Sequence, residues 1–185
     1  MRSFVGVKIL LNDELQLNLR NVKEALRYEN IKWVDLSTLH ITLFFLGVIS
    51  ETFAMEIGQF LSNQFYGSQK IVLSLNGFGL FGSKGNPKVI WIGLEPSEAL
   101  RKLQAPIEKF MISSGYTPDE RGFNPHITIG RVKHIGNPDL INKVIGNYSP
   151  KMRQKLDVDE IILYKSVLTP QGPIYTKHLV QKLCE

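Results

Sequence analysis

His40-Ile41-Thr42-Leu43 and His126-Ile127-Thr128-Ile129 are one four-residue device written twice, once in each half of the chain. Successive side chains of a β-strand point to opposite faces, so a strand reading sends His and Thr to one face and the aliphatic pair to the other. Each copy then offers an imidazole and a hydroxyl about 6.5 to 7 Å apart, a gap that a phosphate bridges. Ile41 with Leu43, and Ile127 with Ile129, anchor the strands in the core and hold the polar face still, as acid–base catalysis requires. One copy arises by chance on the order of once in a hundred, so the second makes coincidence a poor explanation. Imidazole both gives and takes a proton near neutral pH, and two of them flanking one substrate form an acid and base pair.

The rest of the chain is read outward from these strands. The alternating run 2–9 predicts a strand, followed by a helix capped by Asn12 and running to about Tyr28, with Leu15, Leu19, Val22 and Leu26 on its buried stripe. Strand 40–46 ends at Gly47, and Ser50 opens a helix to about Phe65. Strands 70–80 and 88–94 flank a hairpin loop at 82–87, and Pro96 and Ser97 open a helix that ends near Gly115. The loop 121–125 feeds strand 126–133, a short helix spans 138–147, and strands 156–167 and 173–183 turn at 169–172. Hairpin-like connections imply mainly antiparallel pairing and an α+β class. Nothing divides residues 1–185 into separate units, so a single domain is expected.

The chain has 185 residues, 43% of them hydrophobic and 21% charged, which is ordinary for a globular protein that needs no staples. No stretch is apolar over the roughly 20 residues of a membrane span, and Lys8 interrupts the N-terminal run that a secretory signal would need. No membrane association, and a cytoplasmic location, are the expectations. Cys184 is the single cysteine, which excludes an internal disulfide and multi-cysteine metal sites. The net charge of +5 favours polyanionic partners, with a local concentration at Lys151, Arg153 and Lys155 that reads first as a solvated face. His134 and His178 lack a threonine partner and read as surface or packing residues.

Two His-x-Thr-x motifs in a chain of this size resemble the 2H phosphoesterase superfamily. Within it, Trp33, then Leu39-His40-Ile41-Thr42-Leu43-Phe44-Phe45-Leu46-Gly47, and Phe123-Asn124-Pro125-His126-Ile127-Thr128-Ile129-Gly130-Arg131 resemble the RNA 2′,3′-cyclic phosphodiesterase (2′-5′ RNA ligase) family. Leu163-Tyr164-Lys165-Ser166 with Gly172 and Tyr175 resembles that family's closing hairpin, which makes Ser166 and Tyr175 candidate substrate contacts. The resemblance implies two lobes, each an antiparallel sheet backed by helices, in a pseudo-twofold arrangement with the motifs facing across a central cleft. It implies metal-independent opening of a 2′,3′-cyclic phosphate at an RNA 3′ end to a 2′-phosphomonoester, without a cofactor. His126 is then the proton acceptor, His40 the proton donor, and Thr42 and Thr128 the donors to the non-bridging oxygens.

Further candidates are weighed residue by residue. Arg131 matches a phosphate with two parallel hydrogen bonds, yet strand parity points it away from His126 and Thr128 unless a bulge at Gly130 turns it back. Phe44 stands where many relatives carry a basic residue, on the expected face of His40 and Thr42, as a base platform or as core packing. Trp33 and Phe123 pose the same choice. The expected partner is RNA ending in a 2′,3′-cyclic phosphate, tRNA halves among them, met by a monomer. Rival readings are phosphodiesterase action on 2′-5′ oligonucleotides or small cyclic nucleotides, possible reversal to 2′-5′ ligation, a non-catalytic nucleotide or RNA-binding module, and a metal hydrolase, which no His-x-x-x-His spacing supports.

Overall fold

A computed structural model of the chain describes residues 1–170 and 172–184. Nine strands and four α-helices follow in the order β1 (Arg2–Lys8), α1 (Asp13–Ala25), β2 (Asn30–Trp33), β3 (His40–Val48), α2 (Glu51–Gln64), β4 (Ile71–Ser83), β5 (Asn86–Leu94), α3 (Glu98–Ser113), β6 (Ile127–His134), α4 (Pro138–Tyr148), β7 (Arg153–Val158), β8 (Glu160–Thr169) and β9 (Gly172–Lys182). The strands form two sheets, β3-β1-β8-β9 and β2-β6-β5-β4-β7. Every pairing between named strands is antiparallel. The fold is therefore α+β, with one motif strand in each sheet. The expected turn at 169–172 includes Gln171, which lies outside the described residues.

Local chemistry starts each helix where the sequence places it. Asn12, Ser50, Ser97 and Asn137 each accept a hydrogen bond from the backbone N–H three residues on, satisfying a donor that the first helical turn leaves free. Leu15, Leu19, Val22 and Leu26 of the α1 stripe are all buried. Helix α2 lies on β8 and β9, α3 spans from β3 to β4, and α4 packs on β4 beside α1. One continuous core joins both sheets, including Val5 and Ile41 of the first and Ile90 and Ile127 of the second.

Four elements depart from the sequence reading. The short strand β2 pairs with β6, and Val34 N–H donates to the Ile129 carbonyl to extend that pairing. A one-turn 3-10 helix at Leu36–Thr38 then links β2 to β3. The single strand expected over 156–167 is two strands in different sheets: β7 pairs with β4, Asp159 alone intervenes, and β8 pairs with β1. The expected hairpin loop at 82–87 is tighter than its composition suggested, since Ser83 pairs with Asn86. Lys155 and Arg153 of the basic concentration lie on β7, an edge strand, where charge discourages pairing with another chain.

Candidate active site

β3 and β6 approach one another although they belong to different sheets. Each carries a one-residue bulge at the same place. Against β1, Phe44 pairs with Val5 and Thr42 with Gly6, leaving Leu43 unpaired. Against β5, Gly130 pairs with Ile90 and Thr128 with Trp91, leaving Ile129 unpaired. An extra residue shifts the alternation by one. Ile41, Leu43 and Leu46 point into the core while His40, Thr42 and Phe45 share the other face. In the second copy Ile127, Ile129 and Val132 point inward, and Thr128 and Arg131 lie outward.

Both histidines are held by the same contact. His40 Nδ1 lies 2.7 Å from the Thr38 carbonyl, and His126 Nδ1 lies 2.8 Å from the Asn124 carbonyl. A carbonyl only accepts, so Nδ1 carries the hydrogen in each ring and Nε2 is left to gain or lose the reacting proton. Asp35 fixes the first carbonyl: its carboxylate accepts from the Ser37 N–H at 2.8 Å and caps the short helix that ends at Thr38. Ahead of the second, the Asp119 carboxylate accepts from the Arg121 N–H at 3.0 Å, and Pro125 restricts Asn124 to extended backbone. Neither the Thr42 nor the Thr128 hydroxyl has a hydrogen-bond partner among the described residues.

Each imidazole rests on aromatic rings from its own sheet. The rings of Phe4, His40 and Tyr164 form a triangle, with Phe4 4.6 Å from His40 and 4.8 Å from Tyr164, and Tyr175 meets His40 edge-on at 5.0 Å. Phe81 meets His126 edge-on at 4.8 Å and lies 5.1 Å from Trp91. Burial lowers the His40 pKa; the Thr38 carbonyl works the other way, and the charges of Arg131 and His126 lower it further. Burial likewise raises the phenols of Tyr164 and Tyr175, with Glu160 adding to the first and Arg131 and Arg2 opposing the second. Positive charge from Arg131 therefore reaches both His40 and Tyr175.

A groove of roughly 770 Å³ runs along this face, bordered by Thr42, His126, Thr128 and Arg131 and also by Phe45, Phe81 and Phe123. His40 adjoins Thr42 on the same strand, its ring partly covered by Phe4 and Tyr175. Arg131 borders the groove because the bulge, at Ile129 instead of Gly130, turns it there. Phe44 borders the groove as well, but the bulge takes its ring off the His40 face: it packs opposite the core residue Val5, edge-on to Tyr116 and 7% exposed. Its place on that face belongs to Phe45, which is 54% exposed with the Arg2 guanidinium 5.0 Å from its ring. Trp33 lies elsewhere, facing a separate groove beside α1 with Lys23 over its ring. Ser166 is buried opposite Tyr175 in the β8–β9 pairing, so only Tyr175 of that pair touches the histidine cluster.

Phe4, Phe81 and Trp91 were invisible as site residues from sequence, because an aromatic residue in a strand reads as core. Among the described residues no three His, Cys, Asp or Glu side chains gather so as to hold a metal ion, and no helix is long and apolar enough to cross a membrane.

Two antiparallel sheets that each bring one His-x-Thr strand to a common groove define a two-histidine phosphoesterase. The chain belongs to the 2′-5′ RNA ligase superfamily, whose family model matches residues 13–169. It is similar to the RNA 2′,3′-cyclic phosphodiesterase of Thermotoga maritima, 35% identical over 95% of this chain and 91% of that one. The protein of the same name from Methanocaldococcus jannaschii is 34% identical over 95% and 96%. Among solved structures, Escherichia coli LigT complexed with 3′-AMP superposes with a TM-score of 0.77 at 22% identity, covering 100% of this chain and 98% of that one.

Proposed function

We propose that the chain hydrolyses the 2′,3′-cyclic phosphate at the 3′ end of RNA and leaves a 2′-phosphomonoester. Its family and its relatives named RNA 2′,3′-cyclic phosphodiesterase support cyclic phosphodiesterase activity. The observation that carries the reading is the matched pair of imidazoles, each with Nδ1 on a main-chain carbonyl and Nε2 free. The phosphate sits between them, with the unpartnered Thr42 and Thr128 hydroxyls and the Arg131 guanidinium toward its non-bridging oxygens, where negative charge grows in the transition state. His126 Nε2 takes a proton from water as the water oxygen bonds to phosphorus. The bond from phosphorus to O3′ breaks, and His40 Nε2 gives its proton to that oxygen.

The free enzyme holds His40 below the usual imidazole pKa. An arriving phosphate anion offsets the neighbouring positive charges, so binding favours the protonated His40 that the acid step needs. A 5′-hydroxyl in place of water would use the same transfers to make a 2′-5′ linkage. RNA of this kind includes tRNA halves, and the reading asks only a monomer.

The test is incubation with an oligonucleotide ending in a 2′,3′-cyclic phosphate, with chelator present, followed by identification of the product isomer. A 2′-phosphate is expected. A 3′-phosphate overturns the leaving-group assignment, and tight binding without turnover turns the reading to a nucleotide-binding module.

A further inference from the structure

The groove continues past His126 and Thr42 to α3, where Gln104 and Glu108 stand one helical turn apart and both border it. Gln104 sits in the buried stripe of that helix, among Leu100, Leu103, Ile107 and Met111, and is 6% exposed. Its side-chain amide has no hydrogen-bond partner among the described residues. The residue is buried as a whole, yet its amide atoms are not among the buried, unpartnered ones, so the amide opens on the groove. Glu108 is half-buried and forms no ion pair among the described residues. Gln104 and Glu108 therefore offer an amide and a carboxylate, without other polar partners among the described residues, to one end of the groove.

The chemistry of the pair says what they can bind. A carboxylate repels phosphate, so this end does not hold the nucleic-acid backbone. It accepts N–H donors, and Gln104 adds one amide donor and one acceptor. With the cyclic phosphate at the histidines, Phe45 offers its exposed ring on the same strand face as His40 and Thr42, and α3 packs against that strand. Phe45, Gln104 and Glu108 line the same groove, so a base stacked on Phe45 shares that groove with the amide and the carboxylate.

We propose that Gln104 and Glu108 read the base of the RNA 3′-terminal nucleotide and select guanine, an inference that rests on the substrate reading above. Guanine presents one acceptor, O6, beside two donors, N1–H and N2–H. The Glu108 carboxylate accepts both N–H groups in parallel while the Gln104 amide donates to O6. Adenine, cytosine and uracil each set a lone pair of the base against the carboxylate and offer it fewer donors, which excludes them by repulsion as well as by lost bonds.

Steady-state hydrolysis of four oligonucleotides that differ only in the terminal base, plus one ending in inosine, tests this. The guanine end should show kcat/KM higher by about tenfold or more, the scale of a hydrogen bond to a charged group. Inosine, which lacks the N2 amine, should fall between guanine and uracil, and Glu108→Gln should bring the guanine-to-uracil ratio close to one. Equal rates for all four bases, or a preference that survives Glu108→Gln, overturns the assignment. Absence of turnover at every end would instead sink the proposed reaction. In that case calorimetric binding of guanosine 2′-phosphate against uridine 2′-phosphate still decides the base preference: tighter guanosine binding upholds it and equal binding overturns it.

Discussion

Phe45 occupies in β3 the position that Arg131 occupies in β6: each stands five residues after its motif histidine, and each is turned onto the motif face by a bulge at the third residue. The two half-sites are alike in how they hold imidazole and hydroxyl and unlike in what they place beyond. One ends in a flat apolar ring, the other in a planar cation. A nucleotide has the same asymmetry, with a base on one side of the ribose and a phosphate on the other.

Phe44 and Phe45 separate packing from binding. Phe44→Ala removes a core side chain that is 7% exposed and should cost on the order of 3–5 kcal/mol of stability by denaturant unfolding. Phe45→Ala removes a ring that is 54% exposed, so stability should fall far less while KM for a cyclic-phosphate oligonucleotide rises about tenfold, the scale of one base stack. A KM effect confined to Phe44→Ala would reinstate simple strand alternation.

Arg131→Met should lower kcat/KM by roughly tenfold to hundredfold through the lost contact to developing phosphate charge. It should also raise the His40 pKa, because the Arg131 charge is one of the causes that lower it. NMR titration of the His40 imidazole reads this directly. An unmoved midpoint would mean that the guanidinium lies too far from the phosphate site for the role given to it.

His40 also links stability to pH. Its folded pKa lies below the value of 6.5 expected when unfolded. Above that value the ring is neutral in both states and contributes no pH dependence; as pH falls through 6.5 the unfolded state takes the proton first, and stability drops until the folded pKa is passed. The slope from this one group cannot exceed about 1.4 kcal/mol per pH unit. Urea unfolding at several pH values between 8 and 5 should therefore show a shallower acid decline for His40→Gln than for the parent.

Much of this was legible in the sequence because period and caps are local. Asn12, Ser50 and Ser97 cap helices as their chemistry dictates, and the paired His-Thr strands announced two half-sites. The parts that escaped are set by partners distant in sequence. A bulge is a property of two strands, so Leu43 and Ile129 look like ordinary alternating residues until β1 and β5 are beside them. The step from β7 to β8 across Asp159 changes sheet without breaking the apolar alternation, so one strand was read where two exist. For Trp33 the sequence leaves base platform and packing both open, and β2 turns it toward α1. Gln104 does carry a signal in the sequence, a polar residue inside a helix's apolar stripe.

Gly79 supports the second half-site from behind. A Cβ built there would lie 2.0 Å from Cζ2 of Trp91, with the ring atoms Cη2 and Cε2 at 2.2 and 2.4 Å, so the indole lies flat on a backbone that only glycine leaves open. Trp91 pairs with Thr128, and its neighbour Phe81 braces His126. Gly79→Ala should therefore destabilise the fold by about 1–3 kcal/mol through overpacking and lower kcat as Phe81 and His126 shift. Trp91→Phe removes the ring atoms that collide, so in the Gly79→Ala background it should restore part of the lost kcat, although alone it lowers stability. A double-mutant cycle reads that coupling. Additive effects on kcat would show that the Trp91 ring does not transmit the strain to His126.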